Sequence, residues 1–212
     1  MDADEAHARM KEIQRIMERA TLFTVLPGTA AMLGGVLALA GCAASYAMLG
    51  SLDVAELIRL PVASQAAFCA MWLAIGIIGV LLEVVLTTRA AARQQLPITD
   101  RRTRVAAFSL TPSVVVAVVL TFKFLLAAQP RADEMRYIVP IWMMLYGTGV
   151  YTAGLFSIRP PRMLGLAFLA SGVVALLSFP AHGIVAAALS FGLLHVVFGI
   201  YVLAKQRQAP VP

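Results

Sequence analysis

Six long apolar runs constrain this chain more than any other feature. They lie at 22–46, 66–88, 105–127, 138–157, 163–180 and 183–204. An α-helix rises 1.5 Å per residue, so about 20 apolar residues cross a hydrocarbon core of roughly 30 Å. Each run is close to that length, the fifth being the shortest. The runs are continuous and do not alternate polar with apolar, which excludes barrel strands of about 10 residues. With 60% hydrophobic and 13% charged residues among 212, and a mean hydropathy of +0.85, the chain carries more apolar surface than a soluble core could hide. The expected fold is therefore an all-α membrane protein, with six transmembrane helices in one bundle preceded by a short amphipathic cytoplasmic helix. The corresponding division is residues 1–20 for that helix, 21–205 for the transmembrane domain and 206–212 for a cytoplasmic tail.

The net charge of +6 is distributed as a topology signal. Of the 17 Lys and Arg residues, Arg9, Lys11, Arg15, Arg19, Arg89, Arg93, Arg101, Arg102, Arg104, Arg159, Arg162, Lys205 and Arg207 all fall on one side of the six runs. Only Arg59, Arg131 and Arg136 fall in the opposite loops, and Lys123 lies near the end of the third run. The positive-inside rule then places both termini in the cytoplasm. This pattern gives no reason to expect a nucleic-acid partner. The first 20 residues are charged with mixed sign, and the apolar run after them is too long for the core of a cleavable leader. The expected location is a bacterial inner membrane, with the lipid bilayer as the main partner. Cys42 and Cys69 are expected to be unpaired thiols.

Residues 4–20, DEAHARMKEIQRIMERA, place Ala6, Met10, Ile13 and Met17 on one helical face, with Glu5, Arg9, Glu12 and Arg15 on others. Such a helix suits the inner membrane surface or the bundle itself. It is also a candidate docking element for a cytoplasmic or membrane protein partner. A faint likeness between LGGVLALAG in the first run and ASGVVALLS in the fifth is within what membrane composition alone produces.

The polar residues within the runs are the candidates for chemistry. His195, in FGLLHVVFGIY, falls within about 3 Å of the midplane if the last helix spans 183–204. Gly192 and Gly199 share its side of the helix, and small residues let a neighbour approach, so His195 is expected to point into the bundle. The second run repeats the spacing with Gly76, Gly79 and Glu83, a face that also reads as packed. Glu83 lies roughly 7 Å from His195 in depth, within reach of a side chain or one water. Gly34 in the first run is a further helix-packing candidate. A packing histidine bonded across helices is the plainest role for His195, and a proton relay with Glu83 is the alternative. A two-haem arrangement on His182 and His195 lacks further axial ligands, because the remaining histidine is His7. No GxSG or HExxH pattern accompanies Ser171 or Ser190, so no catalytic residue, metal ligand or cofactor is expected.

IQRIMERATLFTVLPGTAAMLGGVLALAG, PIWMMLYGTGVYTAG and RMLGLAFLASGVVALL followed by LSFGLLHVVFGIY give the chain a further likeness. It resembles a family of uncharacterised six-helix bacterial inner-membrane proteins, whose last helix carries a similar glycine, histidine, glycine face. That resemblance implies fold and location without a reaction, substrate or cofactor. The expected role is a non-enzymatic sensing, scaffold or accessory module. The alternative is a small secondary transporter of a solute or proton using His195 and Glu83.

Overall fold

The computed structural model describes residues 28–93, 101–125, 132–155 and 159–208, together with residues 5, 7, 9 and 10. The described residues are almost all helical, without strands, and six helices are long and apolar enough to cross a membrane. The chain is accordingly a multi-pass membrane protein. Most of the amphipathic segment 4–20 lies outside the described residues. Residues 5, 7, 9 and 10 are helical, and Arg9 pairs with Glu5 at 2.8 Å, one turn apart.

We number the long helices α1, Gly28–Leu49; α2, Val62–Arg93; α3, Arg101–Leu125; α4, Ile138–Leu155; α5, Arg159–Ser178; and α6, residues 183–208. α2 is longer than its apolar run because it continues into TTRAAAR, which favours helix but not lipid. α3 continues through Pro112, and α4 is preceded by a short turn of helix at Ala132–Met135. α6 is composite. It is α-helical over Gly183–Ala187, π-helical over Ala188–Leu194 and α-helical again over His195–Gln208.

Two helix pairs are closed by glycines. α1 and α6 run antiparallel and meet twice, one heptad apart. A Cβ on Gly35 would stand 2.6 Å from the Gly192 carbonyl oxygen, and one on Gly28 would stand 2.8 Å from that of Gly199. α4 and α5 meet in the same way: a Cβ on Gly147 would lie 2.8 Å from the Gly165 carbonyl oxygen, and one on Gly154 would lie 2.7 Å from the Arg162 amide. In an apolar solvent, helix association rests on such close backbone packing, because burying more hydrocarbon gains little. α3 is held to α4 by a hydrogen bond from Trp142 Nε1 to Thr121 Oγ1 at 2.8 Å, and by Gly149 seated against Leu110 and Ser113.

At one end the helices are joined by a buried cluster. Between α1 and α2 the 3-10 helix Val54–Arg59 lays Val54, Ala55 and Leu57 into a buried cluster with Met135, Ile138 and Ile184. Asp53 caps that helix by accepting from the Ala55 amide at 2.9 Å, and its other oxygen receives Arg136 Nε at 2.7 Å. A backbone bond from the Ile184 amide to the Leu52 carbonyl, 3.2 Å, adds the start of α6. We call this the sealed end. The other, where Arg93, Arg159, Arg162, Lys205 and Arg207 lie, is the basic end.

α2 departs from the expected packing. It is fixed to α1 near the sealed end, where Trp72 Nε1 donates to Ser45 Oγ at 3.0 Å and the Ile75 side chain lies over Gly41. No residue of its most apolar 18-residue stretch is buried, and Ala91, near its other end, is its one buried residue. Gly76 and Gly79, expected to pack, have nothing within 4 Å of where a Cβ would stand. Gly34, also expected to pack, faces open space in the same way, while its neighbour Gly35 makes the contact with α6. Glycine spacing marks a face on which a helix could be approached, but helix rotation and splay decide whether it is.

Candidate functional site

His195 makes its polar contact with Tyr146, a residue outside the expected His195–Glu83 pair. His195 turns away from α1, which its neighbours Gly192 and Gly199 contact, toward α4 and α5. Its Nε2 lies 2.8 Å from the hydroxyl of Tyr146 on α4. The imidazole sits among three aromatic rings: its centroid is 5.1 Å from Phe168, 5.4 Å from Tyr146 and 6.4 Å from Phe191. Tyr146 in turn meets Phe168 edge-on at 4.8 Å. Such edge-to-face and offset contacts hold ring orientation as well as burying area. Helices α4, α5 and α6 are therefore keyed together at one depth.

The π-helical segment sets the aim of the ring. In a π-turn each amide bonds five residues back, which inserts an extra residue and re-registers every side chain beyond it. His195 is the first α-helical residue after this segment. The wider turn also loosens the carbonyl ladder, and the buried Ser190 hydroxyl donates to the Ala186 carbonyl at 2.7 Å within it. His195 Nδ1 is buried and makes no hydrogen bond, although the carbonyls of Ser190 and Phe191 lie near it. One ring nitrogen is thus engaged and the other is unbonded in an apolar surround, an arrangement that costs free energy.

Glu83 approaches the same centre from α2. It follows Trp72, Gly76 and Gly79 on one helical face. That face is packed at Trp72 and open from Gly76 onward, so Glu83 is exposed. Its carboxylate is bonded to the side chain of Thr87, one turn further along α2. Glu83 has no described hydrogen bond or ion pair to Tyr146 or His195, and the partner that His195 does have is the Tyr146 hydroxyl. Tyr146 and His195 are each half-buried.

Cys42 and Cys69 are both free thiols, the first buried. Among the described residues, no group of three or more His, Cys, Asp or Glu side chains is disposed to hold a metal ion. His182 sits in the short 3-10 turn Pro180–His182 before α6, with its ring edge-on to Phe179 at 6.4 Å. Lys123 is exposed near the end of α3 toward the sealed end, where its long stem can reach the interface.

Tyr146, Phe168, Phe191, Asp53 and Arg136 went unrecognised in the sequence. Asp53 and Arg136 carried a signal, as opposite charges in two loops assigned to the same face. Tyr146 carried a fainter one: a phenol within an apolar helix normally finds a hydrogen-bond partner. No family model, curated protein or solved structure matches the chain.

Proposed function

We propose that the chain is a non-enzymatic sensing module of a bacterial inner membrane, in which α2 is the moving part and Tyr146–His195 the fixed reference. One bundle of six spans, both termini in the cytoplasm and membership in the uncharacterised six-helix family are parts of this reading. The orientation is supported by the bias of Lys and Arg toward the basic end. The observation that carries the proposal is the contrast between α2 and the rest. α1–α6 and α4–α5 are clamped by glycines, whereas α2 is fixed to α1 near Trp72, buries Ala91 alone, and carries Glu83 exposed on the face that Gly76 and Gly79 leave open. An acidic side chain at membrane depth is costly unless it faces protein or water, so moving α2 toward α4 changes its free energy. A ligand or partner that favours one position of α2 would shift that balance. The segment 4–20, at the cytoplasmic end of α1, is the element through which a partner would read it.

Transport of a proton or small solute is a second reading, favoured by the same Tyr146–His195 bond at the centre of the membrane. Reconstituted vesicles carrying a pH-sensitive dye separate the two. Under an imposed pH gradient, the sensing reading predicts that the internal pH relaxes as in protein-free vesicles. Faster relaxation that disappears in Glu83→Gln and His195→Gln would establish transport in its place.

A further inference from the structure

The two glycine clamps have a consequence for the helices between them. α5 and α6 follow one another through the tight Pro180–His182 turn, and at mid-height Phe168 and His195 hold them together. Toward the basic end they are pulled apart: Gly199 draws α6 onto Gly28 of α1, while Arg162 and Gly165 draw α5 onto Gly154 and Gly147 of α4. The gap is a groove of about 460 Å³. Its walls are apolar, formed by side chains such as Met163, Leu164, Ala167, Val197 and Phe198, and its polar groups are Arg159 and Tyr201. From Arg159 to Ala167 the groove extends about 12 Å into the membrane. Lys205 lies one turn beyond Tyr201 on the same face of α6 and is exposed. Neither Arg159 nor Lys205 has a hydrogen bond or ion pair among the described residues.

We infer that this groove is a site for an anionic phospholipid. One acyl chain lies between Ala167 and Val197, and the phosphate is held by Arg159, Lys205 and the Tyr201 hydroxyl. An unfilled gap of this size beside lipid forfeits dispersion contacts along both walls. Its polarity runs from hydrocarbon at depth to cations at the mouth, which matches a phospholipid along its length. Basic pockets between helices on the positively charged side of a membrane protein select anionic headgroups. The inference requires the six helices to span a membrane, but is independent of how α2 is used.

The test is native mass spectrometry of the full chain released from detergent, titrated with phosphatidylglycerol or phosphatidylcholine of identical acyl chains. The expected result is retained phosphatidylglycerol adducts at concentrations where phosphatidylcholine leaves none. In the Arg159→Gln/Lys205→Gln variant, affinity for phosphatidylglycerol should fall roughly thirtyfold. The Arg89→Gln/Arg93→Gln variant, which removes the same charge elsewhere at the basic end, should bind as the parent does. Ala167→Phe, which fills the groove and leaves the cations in place, should also lose the adduct. Equal retention of both lipids, equal losses in the two charge variants, or full binding by Ala167→Phe would each overturn the site. So would a chain lacking residues 2–18 that binds phosphatidylcholine as tightly as phosphatidylglycerol, since the discrimination would then belong to that segment.

Discussion

The hydroxyl of Tyr146 and Nε2 of His195 lie 2.8 Å apart and join α4 to α6 across the aromatic cluster that Phe168 and Phe191 complete. This bond fixes what each partner is worth. Tyr146→Phe keeps the ring contacts and removes the bond, leaving both histidine nitrogens unbonded. Bonds of this kind between membrane helices average about 0.6 kcal/mol and reach roughly 1.7. Thermal unfolding in detergent should show Tyr146→Phe and His195→Leu each lowering stability within that range. Their combination should cost less than the sum, because the second substitution finds the bond already gone. Additive costs would show that the contact contributes nothing as a bond.

Adjacent glycines in α1 should respond in opposite ways to the same methyl group. Gly35→Ala drives a Cβ onto the Gly192 carbonyl oxygen, which is backbone and cannot swing aside, so a loss on the order of 1–3 kcal/mol is expected. Gly34→Ala, Gly76→Ala and Gly79→Ala meet open space. They should be neutral, or stabilising by up to about 1 kcal/mol through helix propensity. Gly192→Ala should fall between these extremes, because its Cβ meets the flexible end of Leu39 at 2.5 Å. Unfolding midpoints of the five variants give the ordering.

The sealed end should depend on Asp53 in two separable ways. Asp53→Asn keeps an oxygen to cap the Ala55 amide and loses the charge that meets Arg136, whereas Asp53→Ala loses both. Susceptibility of the 50–60 loop to an added protease should therefore rise in the order parent, Asn, Ala. A pair exchange, Asp53→Arg with Arg136→Asp, should restore part of the protection lost in Asp53→Arg alone. Equal protection in the Asn and Ala variants would remove the capping role.

Topology has its own check. A reporter enzyme fused after Pro212, or inserted at Gln95, should be active only in the cytoplasm. A periplasmic signal at one of the two positions would overturn the count of six spans, and one at both would reverse the assignment of the basic end.

Much of this fold is legible in the sequence because lipid imposes it: a run of some 20 apolar residues has few alternatives to a spanning helix. The inward aim of His195 is legible for the same reason, since an imidazole at that depth has to be covered. Helix rotation is less legible. Gly34 and Gly35 are equivalent by composition, and only the crossing of α1 over α6 selects Gly35. Gly76 and Gly79 of α2 illustrate the same ambiguity, reading as a packing face although nothing lies against them. Tyr146 could not be paired with His195 from spacing, because the two are 49 residues apart and the aim of the histidine depends on a π-helical insertion that no local motif marks.

The central claim is that α2 takes more than one position relative to α4, and that Glu83 sets the balance. Electron–electron resonance between spin labels at Arg93→Cys and Leu155→Cys, both exposed near the basic end, measures this directly in a chain carrying Cys42→Ala and Cys69→Ser. Labelled protein in lipid nanodiscs should give two distance populations, and Glu83→Gln should shift their ratio without moving either distance. A single narrow distribution, unchanged by Glu83→Gln, would contradict the account.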